Sequence, residues 1–292
     1  MLIGSIEAGG TKFVCAVGDE EYRIKDEIVL PTTMPEETLT KVIDYFKGYK
    51  LDSLSIASFG PIEIRKTAAN YGCITTTPKA GWQNVNIVSI LQTALDIPIF
   101  FTTDVNGAAY GEYIASKLSE TPVSSLVYYT IGTGVGGGAI LDGKIVGSLG
   151  HSEMGHVFVK RHPDDIEFQG ICPYHNDCLE GLVSGPTFEA RLSQKGASVS
   201  LENHVWDIMS YYVAQAAMQT TLILRPEKIV FGGGVTSEPF LKKVRKDLNA
   251  MLNGYVEMPN LDKYITMPMF ANNKSATIGN FALGKKLIKS NK

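Results

Sequence analysis

Three glycine clusters, each directly after a β-rich run, most constrain what this chain can fold into: Gly9-Gly10-Thr11, Gly132 to Gly138, and Gly232-Gly233-Gly234. Glycine tolerates a positive φ and lets the backbone approach a ligand closely. Successive amides in such a turn form a concave anion site, to which Thr11 or Thr133 adds a hydroxyl. One cluster alone fits a plain hairpin as well as a ligand cradle, whereas three in the same context favour the cradle. The flanking runs repeat a strand–turn–strand unit. Leu2 to Ala8 and Lys12 to Gly18 flank the first cluster; Ser125 to Ile131 and Ala139 to Leu141 flank the second, with Gly132 to Gly138 taken wholly as turn. Lys228 to Phe231 leads into the third.

Between these units, Tyr22 to Leu30 is a further strand candidate, and Leu54 to Ala57 is a buried strand stopped by Gly60-Pro61. Pro35 to Tyr49 carries helical periodicity (Leu39, Val42, Ile43, Phe46), with proline near its start and acids in the first turn. Two long helices are expected at 202–224 and 238–252. A supersecondary unit used twice predicts two α/β lobes with a cleft between them, and 292 residues suit two medium domains. The expected division is 1–112, completed by the C-terminal helix, and a larger lobe 113–292 containing a metal loop at 156–178.

A formal net charge of -3 gives no field that would gather nucleic acid or an anionic membrane. The basic run at 284–289 reads as the polar face of a terminal helix. No secretion signal and no run of ~18 apolar residues is visible, so a cytoplasmic location is expected. In a reducing compartment, Cys172 and Cys178 beside a histidine suggest metal rather than disulfide, while Cys15 and Cys73 stand alone.

Gly132, Gly134 and Gly137 formally match a dinucleotide-binding G-x-G-x-x-G, which would suit a dehydrogenase. That motif requires a following helix, and Gly138 to Gly143 reads instead as strand plus hairpin. The remaining protein-kinase signatures and the G-x-x-x-x-G-K-[ST] loop are missing from the sequence.

His156, Cys172, His175 and Cys178 supply four ligands of the kind that structural Zn²⁺ prefers, with no position left for a catalytic water. The alternative is two free cysteines with surface histidines. His151 and His162 lack ligand spacing. Phosphoryl transfer needs a group to accept the hydroxyl proton, charge to hold Mg²⁺, and donors around the phosphates. Asp104 lies just past a strand, where catalytic groups of α/β sheets collect. A small-residue helix follows, so Asp104 and Asn106 fit its capping turn equally well. Glu153 and Glu180 flank the metal loop, and Glu7 adjoins the first glycine turn.

These segments, with Ser58 to Pro61, Thr77 to Trp82, Asp104-Val105-Asn106, Glu153 to His156, Glu180 to Pro186 and Phe231 to Val235, occur in an order that resembles the ROK family of sugar kinases and repressors, nearest its bacterial fructokinase branch. The resemblance implies an actin-like, hexokinase-like duplicated fold that closes on its substrates. It implies an ATP-dependent kinase acting on fructose, with mannose or glucose as alternatives, and a homodimer. It makes Asp104 the base, and gives the sugar to Asn106, Glu153, His156 and Glu180, with Gly60, Pro61, Gly81 and Trp82 shaping the pocket. ATP and its Mg²⁺ would fall to Glu7, Gly9, Gly10, Thr11, Lys12, Gly132, Thr133, Gly134, Gly136, Pro186, Gly232, Gly233 and Gly234. His156 would serve both zinc and sugar. Family repressors carry a DNA-binding module ahead of the first turn, which here begins at residue 9, so a sugar-responsive regulator is disfavoured. Three residues depart from the wider family: Glu7 for aspartate, Thr103 for asparagine, and His175 where glucokinase-like members use cysteine.

Overall fold

Runs of β-branched and aliphatic residues form the strands their pattern predicts. The computed structural model describes residues 1–270 and 274–290. In chain order it begins with β1 (Leu2–Ala8), β2 (Lys12–Asp19), β3 (Ile24–Pro31), α1 (Pro35–Lys47), β4 (Ser53–Ser58), β5 (Cys73–Ile74) and β6 (Val85–Asn86). Next come α2 (Ile87–Leu95), β7 (Ile99–Thr103), α3 (Asp104–Lys117), β8 (Leu126–Ile131), β9 (Val135–Leu141) and β10 (Lys144–Ile145). The remainder holds α4 (Leu179–Val183), α5 (Pro186–Leu192), α6 (Val205–Leu224), β11 (Lys228–Gly232), α7 (Glu238–Leu252), α8 (Leu261–Tyr264), β12 (Ile265–Thr266) and α9 (Ser275–Ser290).

Two compact units result. The first comprises Met1–Pro122, Ile145–His151 and Phe270–Lys292; the second comprises Val123–Lys144 and Ser152–Met269. The first holds a five-stranded sheet of order β3-β2-β1-β4-β7, the second one of order β10-β9-β8-β11-β12. In the first, β2 runs antiparallel to β1 and β3, while β1, β4 and β7 are parallel. In the second, β9 is antiparallel to β8, while β8, β11 and β12 are parallel. The unit read twice in the sequence is thus the same α/β topology built twice.

Helix α1 buries Leu39, Val42 and Phe46, spaced for one face, against Ile6, Leu54 and Ile56 of the first sheet. Helices α3 and α9 cross more closely, because small residues line the contact. A Cβ on Gly111 would run into the Ser275 carbonyl, and one on Gly279 into that of Gly107. Ser275 Oγ donates to the buried Glu112 carboxylate at 2.6 Å, and Asn280 Nδ2 donates to Ser5 Oγ and to the Ile6 carbonyl, both at 3.0 Å. This crossing pins α3, and with it Asp104.

Three sequence expectations change. Gly136 to Gly138 lie inside β9, paired with Thr130, Tyr129 and Tyr128, so the second turn is only Gly132 to Gly134. Glycine serves packing there: a Cβ on Gly137 would meet the Met154 side chain at 2.7 Å. The third strand starts at Ile24, because Tyr22 takes a φ of 65° in a turn whose amide donates to Asp19 O at 3.0 Å. The terminal basic run is partly engaged: Lys285 Nζ donates to Glu20 O at 2.7 Å, and Lys286 lies over the Tyr110 ring. No helix among the described residues is long and apolar enough to cross a membrane.

Candidate active site

In the first unit, parallel register brings the predicted residues to one row. Ala8 pairs with Ser58, and Ser58 with Thr103. The Gly9–Lys12 turn, Phe59-Gly60-Pro61 and Asp104 therefore all leave the sheet at the carboxyl ends of its parallel strands, where α/β sheets bind ligands. Gly9 N donates to Lys12 O at 2.9 Å, and Thr32 clasps the turn, its Oγ1 donating to Gly9 O at 2.7 Å and its amide to Thr11 O at 2.9 Å. Gly10, Thr11 and Lys12 are exposed, and a Cβ on Gly10 would meet nothing within 4 Å.

Thr103, not Asp104, caps α3: its Oγ1 accepts from Asn106 N at 3.2 Å. Asp104 is instead the first helical residue, its Oδ1 accepting from Val105 N at 2.9 Å. Burial, reinforced by the Asp104 charge, pushes the Glu7 carboxyl from an ordinary 4.5 up to about 7. Folding therefore takes up a proton in this window. Glu7's contribution to stability is present below its unfolded value and is lost as pH rises through its folded one, with an upper bound on the order of 3 kcal/mol. Glu7→Gln should flatten the decline in Tm across this range. An unchanged profile would dissociate Glu7 from it.

Other predicted residues sit deeper. Trp82 is fully buried, with Nε1 donating to Thr33 O at 2.8 Å and its ring against Phe13 and Phe59. It supports the segment before Gly60 from beneath. Gly81, beside it, has a φ of 80°. Asn106 is also fully buried, with Nδ2 donating to Thr102 Oγ1 at 3.2 Å. His151, which sequence spacing passes over, accepts from Ile62 N at 3.2 Å through Nε2 and so braces the segment after Pro61. An isolated histidine carries no spacing signal for this.

In the second unit, His156, Cys172, His175 and Cys178 converge, their ligand atoms all within 4.8 Å of one another. His156 Nδ1 lies 3.4 Å from Cys178 Sγ and 3.7 Å from Cys172 Sγ, which is 3.8 Å from His175 Nδ1. Tetrahedral zinc with bonds of about 2.0–2.3 Å needs separations of roughly 3.3–3.8 Å, a range these three pairs meet, and the two-sulfur, two-nitrogen donor set suits that ion. Nδ1 of His156 faces the sulfurs, leaving Nε2 for another partner. Glu153, exposed, begins the turn carrying His156, and Ser152 Oγ ties that turn to β9 through Gly137 O at 3.1 Å.

The second and third glycine clusters meet at the ends of β8 and β11. Gly233 has a φ of 93°, and a Cβ there would clash with the Ile131 backbone, while Val235 N donates to Ile131 O at 3.0 Å. Gly185 N donates to Gly132 O at 2.6 Å, placing Pro186, at the start of α5, beside the turn. Gly132, Thr133, Pro186 and Gly234 line one cavity of ≈ 690 Å³. Its apolar wall, Phe188, Val199 and Trp206, belongs to no motif and escaped the sequence reading. Glu180, expected to face sugar, has Oε2 accepting from Val135 N at 2.9 Å.

The sequence pattern of the ROK family matches residues 3–287. The chain is 50% identical over 287 residues to a fructokinase of Lactococcus lactis subsp. cremoris, covering 98% of this chain and 97% of that one. It is likewise 50% identical over 291 residues to a fructokinase of Streptococcus mutans, covering 98% of each. A solved ROK hexokinase from Thermus thermophilus superposes with a TM-score of 0.81 at 21% identity, over 99% of this chain and 100% of the other. That likeness bears on the fold, and it agrees with the duplicated sheets described above. With matches running from end to end and the family's turns at the strand ends where they are needed, the chain belongs to the ROK family.

Proposed function

We propose that this chain is an ATP-dependent fructokinase, transferring the γ-phosphoryl group of ATP to O6 of fructose. The observation that carries this is identity of 50% over almost the whole chain to fructokinases, in a chain whose Asp104 lies at a carboxyl strand end.

In this mechanism Asp104 accepts the O6 proton as O6 bonds to the γ-phosphorus. The bond from that phosphorus to the bridging oxygen breaks, and ADP leaves with its electron pair. Such transfer asks little covalent work of the protein, so positioning and charge dominate. The amides of Gly10 and Thr11 with Lys12, and those of Thr133 and Gly134, serve the phosphates, while Gly9, Gly132 and Gly136 shape the two turns. The cavity beside Pro186 and Gly232 to Gly234 takes the adenosine. Mg²⁺, when bound with ATP, supplies positive charge to the β- and γ-oxygens; Glu7 would hold its water ligands. Glu153, His156, Glu180 and Asn106 serve the sugar, with Gly60, Pro61, Gly81 and Trp82 shaping its surroundings. His156, Cys172, His175 and Cys178 hold a structural Zn²⁺. A homodimer is part of the same reading; Phe158, Tyr174 and Ile223 are exposed apolar side chains available for it, and light scattering tests it.

A coupled ADP-release assay across fructose, mannose, glucose and N-acetylated hexosamines should give fructose the highest kcat/KM. A higher value for mannose or glucose would move the chain to that specificity, and no turnover on any hexose would overturn the kinase reading.

A further inference from the structure

Helix α4 is only five residues long, yet it joins two features of the second unit that the sequence treats separately. At its start, Cys178 is the capping residue, Leu179 N donates to Val157 O at 2.9 Å, and Ile171 N donates to Gly181 O at 3.1 Å. Those bonds fasten the helix to the loop that holds the metal ligands. At its other end, Gly185 N donates to Gly132 O at 2.6 Å. Between these ends, Glu180 Oε2 accepts from Val135 N at 2.9 Å. The helix thus holds the Gly132–Val135 turn on both sides.

The fit between acid and turn is close. A Cβ on Gly134 would lie 2.7 Å from the same Glu180 oxygen, so a side chain there would push the carboxylate aside, and the constraint is the carboxylate and not a positive φ. A carboxylate accepting from a backbone amide makes a charge-assisted bond, stronger than a neutral one. An amide turn binds phosphate well only if its N–H groups are already aimed, because ordering them on binding subtracts from affinity.

We propose that Glu180 is a positioning residue for nucleotide: by holding the Val135 amide it fixes the aim of the Thr133 and Gly134 amides, and it ties that aim to the metal-ligand loop. This rests on the reading of the turn as a phosphate cradle. It adds a nucleotide role to a residue otherwise assigned to sugar, and its other carboxylate oxygen remains for a hydroxyl.

Isothermal titration of the metal-loaded protein with the Mg²⁺ complex of a non-hydrolysable ATP analogue, without sugar, tests it, together with amide exchange over residues 132–135. Glu180→Ala should weaken the analogue roughly tenfold, in keeping with loss of one hydrogen bond to a charged group, and should speed exchange at Val135. Glu180→Gln, whose side-chain oxygen still accepts, should fall between Glu180→Ala and the parent chain. Should the alanine variant fail to fold, the glutamine variant carries the comparison. Parent-like affinity and exchange in both variants would overturn the proposal and leave Glu180 to sugar alone. A parent chain that binds no analogue, with or without hexose, would overturn the phosphate-cradle reading instead.

Discussion

Asp104→Ala should lower kcat by at least ~10²–10⁴-fold, the contribution typical of a positioned general base, while the hexose still binds. The substitution leaves the fold intact, because the cap of α3 is Thr103 Oγ1 on Asn106 N and the helix is held by its crossing with α9. What is lost locally is one first-turn carboxylate, worth about 0.3–1 kcal/mol at a helix N-terminus. A second readout follows from Glu7. The Asp104 charge is one of the causes holding that carboxyl up near 7, so removing it should shift the pH window of Glu7-linked stability downward. Steady-state kinetics with fructose and ATP, hexose binding by calorimetry and Tm across pH measure the three effects. Turnover close to that of the parent chain would remove Asp104 from the mechanism, whatever the binding data show.

How far the sequence reaches can be judged residue by residue. Strand-and-turn patterning placed β1, β2, β8 and β11 within a few residues but only the last three residues of β9, and the i, i+3, i+7 spacing of Leu39, Val42 and Phe46 gave α1 its buried face. Metal-ligand spacing found all four members of the cluster, since three lie within one short loop. Local chemistry was legible because local residues decide it. What escaped depends on pairings across long sequence separations. The cavity wall of Phe188, Val199 and Trp206 is assembled from segments with no shared motif. Glu180 reaches Val135 across 45 positions, and no pattern within either segment announces the bond. Trp82 and Asn106 are each fully buried, which their place in the sequence does not reveal. Composition cannot separate a side chain that lines a pocket from one that supports it. The glycines of β9 misled for a related reason: absence of a side chain serves close packing as well as turning, and only Met154, from another segment, distinguishes the two.

Removing the metal should loosen one part of the second unit without unfolding it. The outer half of the metal loop has ties of its own. Asp165 receives Arg191 at 2.9 and 2.7 Å and the Tyr212 hydroxyl at 2.9 Å, and Arg191 and Asp165 are both nearly inaccessible. Arg161 donates to the carbonyls of Asp165 and Phe168 and pairs with Asp177 at 3.1 Å. Breaking a buried pair of this kind would itself cost about 3–5 kcal/mol, so these contacts persist when the cation leaves. The segment carrying Cys172, His175 and Cys178 has fewer ties of this kind, so a bound ion would be what holds its sulfur and nitrogen atoms together. A metal present at a thousand times its Kd stabilises by ~4 kcal/mol, which at ~2–4 °C per kcal/mol corresponds to a fall in Tm of about 8–16 °C on chelation. His175→Ala is the informative variant, because His175 is exposed and supplies one ring nitrogen to the cluster. It should lower zinc content and Tm together, raise amide exchange over 170–178 and weaken hexose binding. Since Cys178 caps α4, faster exchange should also reach Glu180. Elemental analysis of the purified protein that finds no stoichiometric zinc, or a chelated protein with unchanged Tm and exchange, would reject the metal and leave the four residues as an unmetallated cluster.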